Sequence, residues 1–393
     1  MPDSHFYRLA GLPPYVLGQV DELKTRLRLA GKEVYDFGLG NPDRGSPALA
    51  VERLIAEAPP ARNHRYAPSP GVPAVRQAIC DWYRRRYGVE LDPELEAIST
   101  IGSKEGLGHL FLAVIGPGDT VLVPDPCYPI HRFGVLFAGG EVVPVPTGPG
   151  RDPLVELEAA RVRAPRPPKL AVINFPHNPT AETATRAQLE AIVRWAEEHD
   201  LWLVSDLAYA DLVFDGAASP SMLEIPGARA RTCEFFTVSK SYNMPGWRVG
   251  FCVGNAELVG ALKRIKGYLD YGHFAPVQLA AVSALENGDQ AVREIVSTYR
   301  ARRDALVRGL GTAGWTVPSP AATMFVWAEI PARFRAGGSV QFAMELLEKA
   351  GVAVAPGVAF GPGGEGFVRF ALVEEVDRID AACRALGLAL AAT

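Results

Sequence analysis

The sequence predicts an α/β protein, with a large domain built on a mostly parallel central sheet and a small α+β domain beside it. Three observations carry that expectation. Short apolar stretches rich in β-branched residues recur through the middle of the chain, helical stretches alternate with them, and the two ends follow a different pattern. The strand candidates of the middle are 97–101 (AISTI), 120–123 (TVLV), 170–175 (LAVINF), 201–205 (LWLVS), 234–238 (EFFTV) and 249–253 (VGFCV). Helices are expected at 104–115 and 185–199. The second follows Thr183 and Thr185 and carries Leu189, Ile192, Val193 and Ala196 at helical spacing. The amino-terminal end offers one amphipathic helix, 16–30, and a turn, GLGNPD. The carboxyl-terminal end starts with a long helical stretch and then offers strands at 322–328, 352–354 and 367–372. We expect the large domain at 46–280. Residues 1–45 join 281–393 in the small one.

Composition narrows the function. A chain of 393 residues that is 48% hydrophobic and 21% charged can bury a sizeable core. A net charge of −4 without a long basic run argues against nucleic acid or an anionic membrane as the main partner. Arg84-Arg85-Arg86 reads as a solvated helix face. No apolar run reaches the ~18 residues of a membrane helix, and the first residues lack a charged-then-apolar signal pattern. Five scattered cysteines without a CxxC pair argue against a disulfide scaffold or a zinc site. The seven histidines lack metal-ligand spacing, so no metal is expected and they read as structural. The expected compartment is the cytoplasm.

In a parallel α/β sheet, ligands bind outside the carboxyl ends of the strands. Those ends carry Gly102-Ser103-Lys104, then Pro126-Cys127-Tyr128, then His177-Asn178-Pro179-Thr180, then Asp206 with Tyr209, and finally Ser239-Lys240-Ser241. Hydroxyls, an aromatic ring, an amide, a carboxylate with a phenol, and a lysine together suit pyridoxal 5′-phosphate. That cofactor is an aldehyde on a pyridine ring with a phosphate arm. A lysine must form its Schiff base, and Lys240 is the candidate. A carboxylate beside the pyridine nitrogen keeps it protonated, a task for Asp206. Ser103, with Lys104 beside it, opens the helix 104–115, where free N–H groups favour a phosphate. Read singly, each has a plainer role: Ser103 or Asp206 as a helix cap, Asn178 as a turn residue, Tyr128 as packing, Lys240 as a surface lysine.

The run Thr237-Val238-Ser239-Lys240-Ser241-Tyr242-Asn243-Met244-Pro245-Gly246-Trp247-Arg248-Val249-Gly250 resembles the cofactor-lysine signature of class I/II aminotransferases, which have the PLP-dependent transferase fold type I. The resemblance implies that Arg248 clamps the phosphate with help from the Thr237 and Ser239 hydroxyls. It implies that Tyr209 and Asn178 share the cofactor's ring oxygen and that Tyr128 lies flat against the ring. Arg369, in Phe367-Val368-Arg369-Phe370, would grip the substrate α-carboxylate, although period-2 alternation alone would make it a solvent-facing strand residue. Gly40 would let backbone approach the same carboxylate, and Tyr15 would line the substrate pocket. Tyr66, in Arg65-Tyr66-Ala67-Pro68, would reach a neighbouring subunit's phosphate, giving a homodimer with composite sites.

Within the class, the chain looks most like bacterial alanine (glutamate–pyruvate) aminotransferases and LL-diaminopimelate aminotransferases. The segments that carry this are Gly102–Leu107, Asp206–Asp211 and Tyr268–Phe274. The last lacks the asparagine-containing stretch usual in the diaminopimelate enzymes. It also lacks an arginine like the one aspartate aminotransferases use for a second carboxylate. Small amino acids and 2-oxo acids are the expected partners, with alanine and 2-oxoglutarate first. The motifs fix the cofactor and leave other PLP chemistry open, such as β-elimination or decarboxylation. A regulator of this frame would carry a basic DNA-binding region ahead of the large domain, which residues 1–45 do not resemble. Gly361–Gly366 satisfies GxGxxG but precedes a strand and contains proline, so a dinucleotide site is not expected.

Overall fold

The computed structural model describes residue 12 and residues 16–391. Its strands are β1 (Tyr35–Phe37), β2 (Ala97–Thr100), β3 (Thr120–Asp125), β4 (Glu141–Pro146), β5 (Leu170–Ile173), β6 (Trp202–Asp206), β7 (Thr232–Thr237), β8 (Gly250–Gly254), β9 (Phe325–Glu329), β10 (Val352–Pro356) and β11 (Phe367–Ala371). They form two sheets, a seven-stranded one in the order β2-β8-β7-β6-β5-β3-β4 and a four-stranded one in the order β1-β10-β11-β9.

In the large sheet, β4, β3, β5, β6 and β7 run parallel. β8 is antiparallel to both of its neighbours, so β2 shares the direction of the other five. Successive strands step one way from β5 to β7 and the other way from β3 to β4. The strand order therefore reverses between β3 and β5, where open α/β sheets bind ligands. In the small sheet, β1 is parallel to β10 and the remaining pairs are antiparallel.

Interior strands read as continuous apolar runs because both faces are covered. Every residue of β2, β5, β7 and β8 is buried. Two strands lay outside the sequence expectation. β4 contains Pro144 and Pro146, which argue against a strand, yet it is the sheet edge, where a missing N–H breaks no ladder. β1 has only three residues, too few for a period to register.

The helix expected from residue 104 spans Ser103–Val114. Its cap is Gly102 at positive φ (76°), so Ser103 is the first helical residue rather than the cap. Thr185 does cap the helix Arg186–Glu198, in a reciprocal box with Gln188. The helix Val16–Leu29 lays Val20, Leu23 and Leu27 against Leu347 and Ala353, which ties it to the four-stranded sheet. The helix Ala275–Asn287 packs on Ala48–Glu57 and Pro73–Tyr87, whereas the next, Asp289–Thr312, packs on Val376–Ala391. Among the described residues, no helix is long and apolar enough to cross a membrane.

One buried carboxylate fastens the large sheet next to its ligand-binding edge. Glu234 of β7 is fully buried, which raises its pKa. It accepts from Ser221 Oγ (2.5 Å), Tyr83 OH (2.9 Å), Ser205 Oγ (3.0 Å) and Met222 N (3.1 Å). Ser205 is its partner in register on β6 and immediately precedes Asp206. Removing the carboxylate leaves several buried donors without an acceptor. Glu234→Ala is therefore expected to lower unfolding free energy by about 2–4 kcal/mol, with Glu234→Gln intermediate. Urea unfolding checks this, and a loss below about 0.5 kcal/mol would mean that the donors find other partners.

Candidate active site

β7 ends at Thr237, whose side-chain oxygen accepts a hydrogen bond from Ser239 N and starts a single helical turn, Val238–Ser241. Lys240 projects from this turn and its Nζ donates to the Gly40 carbonyl at 2.7 Å. Burial pulls its pKa down to about 7, and positive charge on Arg369 and Arg248 acts in the same direction. A substantial share of the amine is unprotonated near neutrality and can act as a nucleophile or base.

One strand away, β6 ends at Asp206, which is buried. Its Oδ2 lies 2.9 Å from His131 Nε2, and its Oδ1 accepts from Ala208 N at 3.3 Å. Among the described residues, no lysine or arginine pairs with it. Asn174, just past β5, donates to the Asp206 carbonyl at 2.7 Å and accepts from Asn178 N at 3.1 Å. His177 Nδ1 and Thr180 Oγ1, 2.7 Å apart, steady the same turn. Asn178 then faces two groups: its Nδ2 lies 3.5 Å from Tyr209 OH and its Oδ1 accepts from Arg369 Nη1 at 2.8 Å. Burial raises the Tyr209 pKa, so the phenol keeps its proton.

Arg369 of β11 is not the solvent-facing residue that strand alternation alone suggests. It is 5% exposed, with its guanidinium carbon 3.9 Å from the Phe325 ring centroid and 4.4 Å from that of Phe360. Both faces are thus covered by aromatic rings. Its polar edge meets Asn178 and, at 3.5 Å, the Gly38 carbonyl, while Nε has no hydrogen-bond partner. No carboxylate pairs with it among the described residues, and burial pulls its pKa down to about 10. A buried cation in this condition is completed by an anionic ligand. A Cβ on Gly40 would strike the Phe325 ring at 2.5 Å, so only glycine fits beside this guanidinium.

The third group sits where β2, β8 and β7 lie side by side. Because β8 runs backwards, Arg248, just before it, emerges at the edge where β2 and β7 end. A Cβ on Gly102 would lie 2.5 Å from Arg248 Nη2, which sets that guanidinium against the amino terminus of the helix Ser103–Val114. Arg248 also donates to the Pro245 carbonyl at 2.9 Å. The Thr237 and Ser239 hydroxyls share a hydrogen bond at 2.8 Å. Lys104 stands on the same turn as Ser103, its Nζ 5.9 Å from the ring centroid of half-buried Tyr128, which meets the His131 ring edge-on.

Two expected residues stand apart. Tyr66 is 86% exposed and rests against the Tyr271 ring rather than entering this cleft, and Tyr15 lies outside the described residues. His131 escaped the sequence reading, which took the histidines as structural. Its place three residues past Tyr128, in the first turn of the helix Pro129–Phe137 that follows β3, was the available signal. Glu105, His109 and Asp270 group closely enough to hold a metal, with Glu105 and His109 one helical turn apart. The buried Lys266 ammonium lies 2.7 Å from Glu105 and 2.9 Å from Asp270 and already supplies positive charge there.

Residues 32–386 match the sequence profile of the family described as aminotransferase class I and II. The chain belongs to that family. This aminotransferase is 51% identical over 385 residues to the glutamate-pyruvate aminotransferase AlaC of Escherichia coli K12, covering 98% of this chain and 93% of the relative. It is 41% identical to the LL-diaminopimelate aminotransferase of Moorella thermoacetica, with 96% of each covered. Among solved structures it resembles substrate-bound BacF from Bacillus subtilis, with TM-score 0.91, 30% identity, and 98% and 97% of the two chains covered. A probable N-succinyldiaminopimelate aminotransferase from Thermus thermophilus gives TM-score 0.88 at 35% identity, with 95% and 100% covered. The aminotransferase is therefore an enzyme of a pyridoxal-phosphate-dependent class, with the fold that the sequence resemblance implied.

The site's own chemistry fits that cofactor. A nucleophilic amine, a buried carboxylate free of arginine or lysine, and an anion cradle that a Cβ at Gly102 would fill lie on neighbouring strands. The Lys240 pKa has a direct consequence. Only the neutral amine attacks an aldehyde, so uptake of pyridoxal phosphate by the cofactor-free aminotransferase should accelerate as pH rises through about 7 and level off above it. Stopped-flow absorbance at pH 6 to 9 measures this, and a rate independent of pH would contradict it.

Proposed function

We propose that this aminotransferase moves the amino group of L-alanine to 2-oxoglutarate, giving pyruvate and L-glutamate, as a cytoplasmic homodimer using pyridoxal 5′-phosphate. The observation that carries the reading is the buried guanidinium of Arg369, which has no carboxylate partner among the described residues and whose charge acts on the Lys240 amine. A substrate held by its α-carboxylate at Arg369 presents its amino group and α-hydrogen to that amine. When bound, the cofactor supplies an aldehyde and an electron-withdrawing ring that stabilises negative charge from the α-carbon.

The chain's own groups do the rest. Lys240 Nζ accepts the proton from the substrate α-carbon and returns it one position along, which its neutral form at physiological pH allows. Asp206, fixed by His131, favours a protonated ring nitrogen. The Tyr209 phenol, kept protonated by burial, and the Asn178 amide serve the ring oxygen. Ser103, Lys104, Thr237, Ser239 and Arg248 would hold the phosphate, and Tyr128 would cover the ring face. Gly40 leaves room at Arg369 for the carboxylate. Tyr66, exposed on this protomer, would complete a neighbouring subunit's site. Alanine as donor rests on the 51% identical relative and on the absence from Tyr268–Phe274 of an arginine for a second carboxylate.

Lys240→Ala should lower turnover by roughly 10³-fold or more while phosphate contacts still retain some cofactor. Near-normal turnover would remove Lys240 from the mechanism. A screen of alanine, glutamate, aspartate, methionine and LL-diaminopimelate against pyruvate and 2-oxoglutarate should give equal pyruvate and glutamate from alanine. Release of ammonia would mark elimination instead, and a strong result with LL-diaminopimelate alone would move the specificity to that relative's activity.

A further inference from the structure

The stretch Gly38–Gly40 follows β1 and enters the cleft from the four-stranded sheet. The Gly40 carbonyl accepts from Lys240 and the Gly38 carbonyl lies near Arg369. Local bonds shape the stretch, from Gly38 N to Asp36 Oδ1 (3.2 Å) and from Asn41 N to the Leu39 carbonyl (2.8 Å). Its anchor to the body of the protein is three residues on, at Asp43. Arg302, on the helix Asp289–Thr312, is 1% exposed, and both ends of its fork are used. Nη1 donates to Asp43 Oδ1 (2.7 Å) and to the Leu372 carbonyl (3.0 Å). Nη2 donates to Asp43 Oδ2 (2.8 Å) and to Glu375 Oε1 (2.9 Å). Leu372 directly follows β11 and stands three residues after Arg369. One guanidinium therefore grips both stretches that make the carboxylate end of the cleft.

We propose that Arg302 is a positioning residue for carboxylate recognition, holding Gly38–Gly40 in register with Arg369 through its bidentate bond to Asp43. The proposal rests on the reading of Arg369 as the carboxylate grip. Arg44 cannot substitute, because its bond to Glu375 is exposed and reaches neither Asp43 nor β11. A lysine cannot substitute either, since a point charge does not span two carboxylate oxygens and a carbonyl in one plane. Neighbouring Arg303 provides an internal control. It is 5% exposed and bonds Asp215, Asp304 and the Pro320 carbonyl, none of which belongs to the cleft.

The test uses holoenzyme carrying Arg302→Gln, Arg302→Lys, Asp43→Asn, the double change Arg302→Gln with Asp43→Asn, and Arg303→Gln. Two readouts are compared: kcat and KM for alanine, and the rise in melting temperature given by propionate, a carboxylate that cannot react. The Arg302 and Asp43 variants should raise KM by about tenfold or more with kcat within about threefold, since a misplacement near 1 Å is costly at such a site. Their propionate-induced shift should shrink in parallel. The double variant should match Arg302→Gln alone, because the Asp43 bond is already lost there. Arg303→Gln should lose heat stability and keep both readouts. If Arg302→Gln melts earlier yet keeps wild-type KM and propionate response, the role is structural and the proposal fails. Should Arg302→Gln not fold, the milder Asp43→Asn decides by the same criteria. A wild-type enzyme that ignores alanine but responds to propionate, with the response lost in Arg302→Gln, would overturn the donor assignment and uphold the positioning role. No propionate response in the wild type would overturn both the Arg369 grip and this proposal.

Discussion

Three positive groups, Lys240, Arg369 and Arg248, face one cleft, and burial has stripped much of the water from two of them. Their mutual repulsion and the loss of hydration set the character of the site. A lysine in this field gives up its proton close to neutrality, whereas an arginine keeps its charge and is left short of a counter-ion. Asp206, on β6, pairs with His131, and no ion pair joins it to either guanidinium among the described residues. The cleft is thus under-supplied with negative charge at two separated points. A ligand with an anion at each point would meet that demand, as the proposed phosphate arm at Arg248 and carboxylate at Arg369 would.

The sheet topology explains why these charges can be held apart in so small a space. Six strands of the large sheet point the same way, so Ser103, Tyr128, Asn178, Asp206 and Lys240 leave it along one edge. The single reversed strand, β8, returns Arg248 to that edge from the opposite direction. A fully parallel arrangement would have carried it to the far side of the sheet. Arg369 comes from the other sheet altogether, and aromatic rings rather than acids surround it. Those rings cover the guanidinium while leaving its polar edge free of carboxylates among the described residues, which salt bridges could not have done.

Much of this was legible in the sequence, and the boundary between what was and was not follows sequence distance. The Lys240 run is local: strand, cap, lysine and arginine fall within fourteen consecutive residues, so residue types alone betray the arrangement. The interior strands were equally open, since burial on both faces writes itself as unbroken apolar runs. His131 was hidden because its meaning lies in Asp206, 75 residues later. Arg302 was hidden for the same reason, with Asp43 259 residues away and helix periodicity offering no sign that one arginine faces inward. β4 was masked by prolines that only its edge position excuses, and Ser103 was displaced as a cap because Gly102 takes a backbone conformation that spacing does not encode.

Asn178 shows how the two sheets become one site. It leaves the large sheet after β5, with its backbone held by Asn174, yet its side chain spans Tyr209 of the large sheet and Arg369 of the small one. An amide is suited to this place. Its oxygen must accept from a guanidinium while its nitrogen faces a phenol, and neither a carboxylate nor an amine can present both faces. A carboxylate would neutralise Arg369 and remove its need for a ligand. The neutral amide orients Arg369 without discharging it, so the positive charge that the proposed carboxylate grip requires is kept. Charge at this position therefore matters as much as hydrogen bonding, and the same logic fits the aromatic rings that line the rest of the guanidinium's surroundings, with no carboxylate there among the described residues.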